Sequence, residues 1–411
     1  MKSDIDSLMQ EREIDVLLVT GPGTHNPAMV YLTGGGHLTG GDLIKKRGEA
    51  AVLFHFPMER DEAALTGLQT KSLADYKLHE LYKQFNGDML KVTVRRYEMM
   101  LSDLGVISGR VALYGQADAG TTLAIFSALQ QAIPQLTFVN EVANSLLLQA
   151  MMTKDAEEVA RIRNVGHKTT VVVGQTLEFL CSHRTMNGVL VKSDGSPLTI
   201  GDVKHRINLW LAELGLENPE DTIFAIGYDS GVPHSSGKPS DPLRLGETII
   251  FDIFPCEAGG GYYYDMTRTW CLGYAPEEAL ALYEDVHTVY HSLIAELRID
   301  TPGKDYQERT CELFELRGHP TIRSDPQTQI GYVHGLGHGV GLHIHERPSL
   351  GRFASDSDRL YPGTVITVEP GLYYPERGLG VRIEDTIWVR PDGKFEVLAE
   401  YSHDLVIPMK R

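Results

Sequence analysis

The sequence has few cysteines and no long apolar run, and both shortages restrict the class of protein. The cysteines are scattered, with neither a CxxC pair nor the dense spacing of a disulfide-rich domain: Cys181, Cys256, Cys271 and Cys311. No apolar run approaches the roughly 18 residues that a membrane span needs. The polar, acidic start MKSDIDSLMQERE is unlike a signal peptide. We therefore expect a cytoplasmic protein with reduced thiols and no membrane partner.

Basic residues are also scarce relative to acidic ones. The chain contains 38 Lys and Arg against 55 Asp and Glu, for a formal net charge of −17. Proteins that bind nucleic acids need clustered Lys and Arg to contact phosphates. The charge balance therefore predicts that nucleic acid is not a partner.

The length and the order of the apolar runs predict two domains. A chain of 411 residues exceeds one typical domain core. Short β-branched runs at 14–20, 51–55 and 110–114 are typical of buried strands, and helical patterns occupy 57–66 and 120–131 between them. This alternation predicts a small α/β domain over residues 1–150.

The pattern changes near residue 152, where a long helical periodicity begins. Thr153 is the predicted N-cap of this helix, and acids follow in the first turn. Further helices are expected at about 199–214 and 276–297, each followed by strand-like runs that end in Gly or Pro. This mixed order predicts an α+β domain over residues 151–411.

Two carboxylates interrupt neighbouring apolar strands in that second domain. Asp252 lies in ETIIFDIFP and Asp265 in GYYYDMTRTW, with EAGGG between them as a hairpin turn. If Ala258 and Gly259 are the turn residues, Asp252 lies opposite Asp265. Like charges in that position destabilise a sheet unless something neutralises them.

A second pair of acids repeats this arrangement. Glu369 lies in TVITVEPGLYY and Glu384 in GLGVRIEDTIWV, and a turn at Glu376 and Arg377 places the two opposite each other. Arg382 shares a strand face with Glu384, so it is a candidate structural counterion. Either pair alone is typical of a solvated hairpin face. Two pairs within apolar strands favour buried carboxylates, which need protons, bases or metal ions.

The stretch VHGLGHGVGLHIHERP supplies imidazoles near these acids in the sequence: His334, His338, His343 and His345. Its glycines disfavour a helix and suit close backbone approach or a positive φ. The chain has no HExxH, which excludes the zincin pattern. One imidazole with four carboxylates suits Mn, Fe, Co or Zn. That many acids favour two ions roughly 3.5–4 Å apart over a single ion.

Five spaced motifs occur in order over about residues 150–411: GVPHSSG, FDIF…YYYDMTRT, HGLGHGVGLHIHERP, TVEPGLYY and GVRIED. Together they resemble the M24 metallopeptidases of pita-bread fold, which include methionine aminopeptidase, aminopeptidase P, prolidase and creatinase. NPAMVYLTGG resembles the creatinase-like N-terminal domain more weakly. The resemblance implies an α+β protein in which a pita-bread catalytic domain, 151–411, follows a smaller α/β creatinase-like N-terminal domain, 1–150.

The resemblance also implies a role for each matching residue. The metal ligands would be Asp252, Asp265, His338, Glu369 and Glu384, holding two divalent ions, with manganese expected first and cobalt, zinc or iron as alternatives. The catalytic residues would be His234, His345, Glu369 and Arg382. The two histidines would hold the substrate and stabilise the intermediate and leaving amine, Glu369 would transfer a proton, and Arg382 would orient Glu384 and the substrate. His334, His343 and His319 are interpreted as loop or packing residues.

The implied reaction is hydrolysis of the Xaa-Pro bond at the N-terminus of a peptide by a hydroxide that bridges the metal ions, as in aminopeptidase P. The alternatives are an Xaa-Pro dipeptidase (prolidase), a creatinase-like C–N hydrolase and a non-enzymatic binding protein; relatives of the last two kinds lose ligands that this chain retains. The implied partners are a peptide with proline at its second position and a second copy in a homodimer.

Two features depart from the family pattern. Asp252 and Asp265 are thirteen positions apart, more than is common in the family. Some prolidases carry an arginine just after the proline of the HExP segment to hold the substrate carboxylate. Here Ser349 takes that place and Arg347 lies two residues earlier, which leaves dipeptidase activity open.

Overall fold

The computed structural model describes residues 1–139, 141–142 and 144–409, and it divides the chain into two compact units. The first unit comprises Met1–Met151 together with Gly259–Gly261, and the second comprises Met152–Ala258 and Tyr262–Arg411. In the described part of the chain, every helix is too short or too polar to cross a membrane.

The first unit is built on one six-stranded sheet. Its strands are β1 (Val16–Gly21), β2 (Gly41–Lys46), β3 (Val52–His55), β4 (Gln69–Ser72), β5 (Gly109–Gly115) and β6 (Leu136–Val139). Its helices are α1 (Ile5–Glu11), α2 (Pro27–Thr33), α3 (Arg60–Leu65), α4 (Leu78–Gln84), α5 (Met89–Asp103), α6 (Ala119–Ala132) and α7 (Leu146–Met151), with 3₁₀ turns at Lys2–Asp4, Pro57–Glu59 and Leu73–Tyr76. The strand order is β4-β3-β2-β1-β5-β6.

Both faces of this sheet are covered by apolar side chains. Val16 and Leu18 of β1 join one core cluster, whereas Val19 joins a second cluster with Leu43 and Leu53. Because successive side chains of a strand point to opposite faces, a continuous apolar run can contribute to both clusters. The strands and helices predicted from the apolar runs of this region are present, within a few residues of the expected limits.

The second unit combines long helices with several smaller sheets. Its helices are α8 (Ala156–Ser182), α9 (Ile200–Glu213), α10 (Glu277–Glu296) and α11 (Gly303–Glu315), with 3₁₀ turns at Gly227–Gly231 and Pro375–Arg377. Its strands are β7 (Arg184–Met186), β8 (Val189–Val191), β9 (Leu216–Glu217), β10 (Ile223–Ile226), β11 (Thr248–Ile253), β12 (Cys256–Glu257), β13 (Met266–Leu272), β14 (His338–Gly339), β15 (Glu346–Ser349), β16 (Val365–Val368), β17 (Gly371–Tyr374), β18 (Leu379–Arg382), β19 (Asp385–Val389), β20 (Phe395–Val397) and β21 (Val406–Ile407).

Two larger sheets carry most of the second unit. One has the order β10-β11-β13-β21 and the other the order β15-β14-β16-β19-β20, while β17 and β18 form a separate hairpin. In the first sheet, Phe251 packs edge-on against both Phe224 and Trp270, with ring centroids 5.3 Å apart in each pair. These rings bury one face of β11. The side chain of Asp252, the next residue along, therefore lies on the opposite face.

The start of α8 differs from the expectation. Asp155, not Thr153, is the N-cap: its Oδ1 accepts the backbone N–H groups of Glu157 and Glu158 at 3.0 and 2.9 Å. The Glu158 carboxylate in turn accepts the N–H of Asp155 at 2.9 Å. This capping box requires an acid or amide three residues after the cap, which Asp155 has in Glu158 and Thr153 lacks because Ala156 stands there.

Candidate active site

A cavity of about 240 Å³ in the second unit gathers all eight residues that the sequence singles out as ligands or catalytic groups. These residues are His234, Asp252, Asp265, His338, His345, Glu369, Arg382 and Glu384. The lining also includes Glu220, His334 and several apolar side chains, among them Ile223, Phe254 and Ile344. Residues that are distant in sequence therefore converge on one concave surface.

The two aspartates enter the cavity from β11 and from the residue before β13. The observed register pairs Asp252 with Thr267, so the predicted opposition of Asp252 and Asp265 is wrong by two residues. The turn residues are Gly259 and Gly260, with φ of +89° and +75°, in place of Ala258 and Gly259. A tight hairpin turn needs a positive φ at both central residues, which Ala258 resists. A shift of two residues leaves both aspartates on the same face.

The strand pairs that flank the two glutamates have the predicted register. Val368 lies opposite Asp385 in β16–β19, and Gly371 lies opposite Arg382 in β17–β18. The backbone of Glu384 itself bridges to Thr267. Glu369 and Glu384 lie where one strand pair gives way to the next. Both residues line the cavity. Thr267 donates a hydrogen bond of 2.6 Å from its hydroxyl to Glu384 Oε2 and so fixes that side chain.

The unprotonated ring nitrogen of His338 lies close to Asp265 and Glu369. Its Nδ1 donates to the carbonyl of Gly339 at 3.1 Å, which leaves Nε2 without a proton. That Nε2 lies 3.7 Å from Asp265 Oδ2 and 3.5 Å from Glu369 Oε1. Burial lowers the pKa of His338 to about 3, so the ring is neutral at physiological pH. A neutral imidazole fixed in this way is suited to bind a metal ion.

The glycines of this loop serve close backbone approach. A Cβ on Gly337 would lie 2.2 Å from the Thr367 carbonyl oxygen, and one on Gly339 would lie 2.1 Å from the Arg347 carbonyl oxygen. Among the described residues, neither of these two glycines has a positive φ. Of the two explanations that the sequence left open, close approach therefore applies here.

The cavity carries more negative charge than its own cations neutralise. Among its described lining residues, Arg382 is the one lysine or arginine, against the carboxylates of Glu220, Asp252, Asp265, Glu369 and Glu384. Burial, followed by the charge of Glu384, raises the pKa of Asp265 and of Glu369 well above the usual range. Burial and the charge of Asp252 raise the pKa of Glu384 to about 8.

The donor atoms fit divalent metal ions. The ligand atoms of Asp265, His338 and Glu384 lie within 4.8 Å of one another. Oδ1 of Asp252 and Oδ1 of Asp265 are buried and accept no hydrogen bond. Buried carboxylate oxygens are normally paired, so these two atoms indicate positions where a cation would complete the site.

Arg382 contacts a different acid from the one expected. Its Nη2 donates to Asp252 Oδ2 at 2.5 Å, whereas the sequence pointed to Glu384 as its partner. Its Nη1 donates to the Tyr373 hydroxyl at 2.8 Å and to the Pro233 carbonyl at 3.3 Å. The guanidinium therefore connects the acids to the backbone just before His234. The hairpin of β17 and β18 packs against the sheet that contains β11, and alternation within one strand does not predict this contact.

His334 lies at the cavity, a position that the loop or packing interpretation did not predict. It lines the cavity, its Nε2 lies 2.8 Å from the Tyr373 hydroxyl, and its Nδ1 lies 4.0 Å from Glu369 Oε2. Burial lowers its pKa to about 3. His334 lies four residues before His338, and this spacing was the available signal. The glycines between them disfavour a helix, so the spacing did not predict that both rings would face the same cavity.

The other histidines divide into two groups. His345 packs its ring edge-on against His338, with centroids 4.4 Å apart, and it lines the cavity together with His234. His319 instead contacts the Tyr374 hydroxyl at 2.6 Å and Asp285 at 3.0 Å. His343 is half-buried beside Glu346. Neither His319 nor His343 is among the lining residues, which agrees with the packing interpretation.

Arg347, the candidate anchor for a substrate carboxylate, is engaged elsewhere. Its Nε donates to Asp358 at 2.8 Å and its Nη2 to the Ser357 hydroxyl at 2.8 Å. The side chain is 11% exposed and is not among the residues that line the cavity. Ser349 pairs with His338 across β14 and β15, and it too is absent from the lining.

Comparison with known proteins gives consistent results. The model of metallopeptidase family M24 matches residues 160–391, which include all eight cavity residues named above. The Xaa-Pro dipeptidase of Pyrococcus horikoshii is 25% identical over 400 residues, covering 95% of this chain and 94% of that protein. The Xaa-Pro dipeptidase of Pyrococcus furiosus is 32% identical over 194 residues, but that match spans 47% of this chain and 51% of the relative.

Solved structures extend the likeness over the whole chain. The X-Pro aminopeptidase of Thermotoga maritima aligns with a TM-score of 0.75 at 19% identity and covers 98% of this chain and 100% of that one. The prolidase of Pyrococcus horikoshii aligns with a TM-score of 0.71 at 21% identity and covers 98% and 99%. At these identities, the likeness demonstrates a shared fold.

Proposed function

Because the chain belongs to metallopeptidase family M24, we propose that its cavity hydrolyses the bond between the N-terminal residue of a peptide and a proline that follows it. The α+β pita-bread fold predicted from the sequence is confirmed by the structural matches. The observation that carries the proposal is the convergence of Asp252, Asp265, Glu369 and Glu384 with His338 in one buried cavity. Relatives named Xaa-Pro dipeptidase and X-Pro aminopeptidase support the choice of substrate.

The proposed ligands are those same four acids and His338, which would hold two divalent metal ions. Their oxygen-rich donor set favours manganese, with cobalt, zinc and iron as alternatives. When bound, such ions would lower the pKa of a water molecule and polarise the scissile carbonyl.

The chain's own side chains would handle the protons of the reaction. Glu369 is the proposed base and acid: its carboxylate takes a proton from the attacking water and delivers it to the proline nitrogen. His345 and His234 line the same cavity and would donate hydrogen bonds to the carbonyl oxygen and orient the substrate.

Arg382 is proposed as a positioning residue. Its guanidinium donates to Asp252 and to the Tyr373 hydroxyl, and that hydroxyl contacts His334 in turn. A rigid arrangement of this kind keeps reacting groups in register, which is a large part of enzymatic rate enhancement.

The contacts of Arg382 and Arg347 favour peptides longer than a dipeptide. A dipeptidase must neutralise the carboxylate of its substrate, and bidentate arginine is the usual means. Arg382 is occupied by Asp252, and Arg347 by Asp358. We therefore propose an aminopeptidase P-like activity, with Xaa-Pro dipeptidase as the alternative that the names of the Pyrococcus relatives support.

The test is hydrolysis of Ala-Pro, Ala-Pro-Ala and Ala-Ala-Ala by chelator-treated protein, with and without added Mn²⁺. We expect Mn²⁺-dependent release of alanine from Ala-Pro-Ala, little cleavage of Ala-Pro, and none of Ala-Ala-Ala. Glu369→Gln is the control for catalysis. Preference for Ala-Pro would make the protein a dipeptidase, and cleavage of none of the three would refute the Xaa-Pro assignment.

Two further proposals concern organisation. We propose that the first unit is a creatinase-like N-terminal domain, because the prolidase and X-Pro aminopeptidase structures align over nearly the whole chain. We also propose a homodimer, which the resemblance implies. Sedimentation equilibrium at several protein concentrations tests it, and a concentration-independent monomer mass would contradict it.

A further inference from the structure

A second cluster of histidines lies apart from the candidate active site. His287 and His291 are four residues apart on α10, so both rings project from the same face of that helix. His403 comes from the segment before β21. One ring nitrogen from each of the three lies within 4.8 Å of the other two. None of the three is among the residues that line the cavity described above.

Two of the three rings, those of His403 and His287, contact neighbouring groups that orient them. His403 Nε2 lies 3.0 Å from Asp385 Oδ2, and that buried carboxylate also accepts a hydrogen bond of 2.7 Å from Arg268. The Tyr283 ring stacks on His287, with centroids 5.9 Å apart, and its hydroxyl donates to the His403 carbonyl. A carboxylate behind a histidine ring is the arrangement that orients metal-ligating histidines in many proteins.

The spacing of the nitrogens suits a small divalent ion. His287 Nε2 and His291 Nε2 are 3.0 Å apart. Two histidine nitrogens that bind one tetrahedral zinc ion at 2.0–2.1 Å lie roughly 3.4 Å apart, so a small side-chain movement would suffice. His291 is exposed, which gives an ion access from solvent and leaves room for water as a fourth ligand.

We propose that His287, His291 and His403 form a second metal site that binds Zn²⁺ and joins α10 to the C-terminal segment. Three imidazoles without an acid ligand suit zinc, whereas the oxygen-rich cavity suits harder ions such as Mn²⁺. The ligands differ from those of the proposed active site, so this proposal does not depend on the proposed function.

The test is the zinc content of the full-length protein. Chelator-treated protein is dialysed against buffered Zn²⁺ and the bound metal is measured by mass spectrometry, for the wild type, His291→Ala and the matched control His79→Ala, which removes an exposed histidine of α4. We expect His291→Ala to lose about one Zn²⁺ per chain, with Mn²⁺-dependent peptidase activity unchanged. The control should retain the wild-type content.

A second readout separates metal binding from a hydrogen-bonded histidine cluster. Zn²⁺ should raise the Tm of the wild type and of His79→Ala. The increase should be smaller for His291→Ala and for His291→Gln, whose side chain is closer in size to histidine. Equal zinc content and equal Tm shifts in the wild type and both His291 variants would refute the site. Circular dichroism of each variant establishes that the fold is retained before metal is added.

Discussion

Arg382 and Asp252 form a buried ion pair in which Nη2 donates to Oδ2 at 2.5 Å. Arg382 belongs to β18 and Asp252 to β11, and the two residues are 130 positions apart in sequence. The same guanidinium also donates to Thr267, whose hydroxyl donates to Glu384. One cation therefore orders two of the four acids and is the main protein charge that opposes their repulsion.

Replacing Arg382 by lysine should impair activity more than folding. Lysine keeps the positive charge beside Asp252 but cannot maintain the separate contacts to Tyr373, Thr267 and Pro233. We expect kcat/KM for the proline-containing tripeptide to fall about 10–100-fold. Arg352→Lys, at an exposed arginine, is the matched control.

Arg382→Ala should in addition destabilise the protein, because it leaves Asp252 buried without its cation. Removal of one partner of a buried ion pair typically costs about 3–5 kcal/mol. Urea denaturation of the two variants checks this difference. Equal stability of Arg382→Ala and Arg382→Lys would show that the ion pair contributes little.

The metal-free protein should lose stability as the pH rises. In the folded chain, burial and the charge of Asp252 raise the pKa of Glu384 from 4.5 to about 8. The folded state then binds this proton more tightly than the unfolded state does, so the free energy of unfolding falls between pH 4.5 and pH 8. The expected loss is on the order of a few kcal/mol. Urea denaturation of chelator-treated protein across that range measures it.

Glu384→Gln and added Mn²⁺ provide the controls for this pH dependence. The glutamine variant lacks the titrating group and should show a flatter slope than the metal-free wild type. Mn²⁺ should stabilise the wild type more at high pH than at low pH, because metal binding requires deprotonated ligands. A metal-free wild type that is most stable at high pH would contradict the buried cluster of acids.

The sequence predicted the acids of the site better than their partners. The register of the strands that flank Glu369 and Glu384 was correct because the turn at Glu376 and Arg377 fixed it locally. The register of Asp252 was wrong because the paired positive φ of Gly259 and Gly260 decided the turn. Such local geometry can be read from turn chemistry once both glycines are weighed.

Long-range partners could not be predicted in the same way. The contact of Arg382 with Asp252 depends on which strands of different hairpins become neighbours, and that is decided by the packing of the whole unit. His334 contacts the hydroxyl of Tyr373, which belongs to β17. Periodicity assigns a side chain to one face of a strand, but it does not say which residue of another element it meets.

Gly337→Ala should disrupt the site without altering any polar group. The new Cβ would lie 2.2 Å from the Thr367 carbonyl oxygen and 2.9 Å from the Thr367 hydroxyl. That hydroxyl accepts the backbone N–H of His338 at 3.1 Å and donates to Glu369 at 3.4 Å. We expect about 1–3 kcal/mol of destabilisation and a loss of kcat/KM of about 100-fold.

Gly351→Ala is the control for this substitution. Its Cβ would meet the Ser349 hydroxyl oxygen at 3.5 Å, an ordinary contact, and its φ is not positive. Thermal denaturation and tripeptide hydrolysis should therefore leave it near the wild type. If the two alanine variants behave alike, close approach is not the reason for glycine at position 337.

Lys154 and Glu346 form a buried ion pair. We expect the loss of one partner to destabilise the protein more than the loss of both charges together. Both side chains are almost fully buried, at 1% and 0% exposure. Glu346 also accepts the backbone N–H of His343, two residues before His345, so it fixes the loop that carries that cavity residue. Lys154→Met or Glu346→Gln alone should cost about 3–5 kcal/mol, since each leaves a buried charge without its counterion.

The double variant Lys154→Met/Glu346→Gln distinguishes pairing from the loss of two independent contacts. It removes both charges, so it should be more stable than either single variant and recover part of the tripeptide hydrolysis that the single variants lose. Urea denaturation of all four proteins completes the cycle. Additive losses would mean that the two residues act independently. Recovery would mean that the pair is kept for the geometry of the His343–His345 loop, because an uncharged pair of similar size can hold it too.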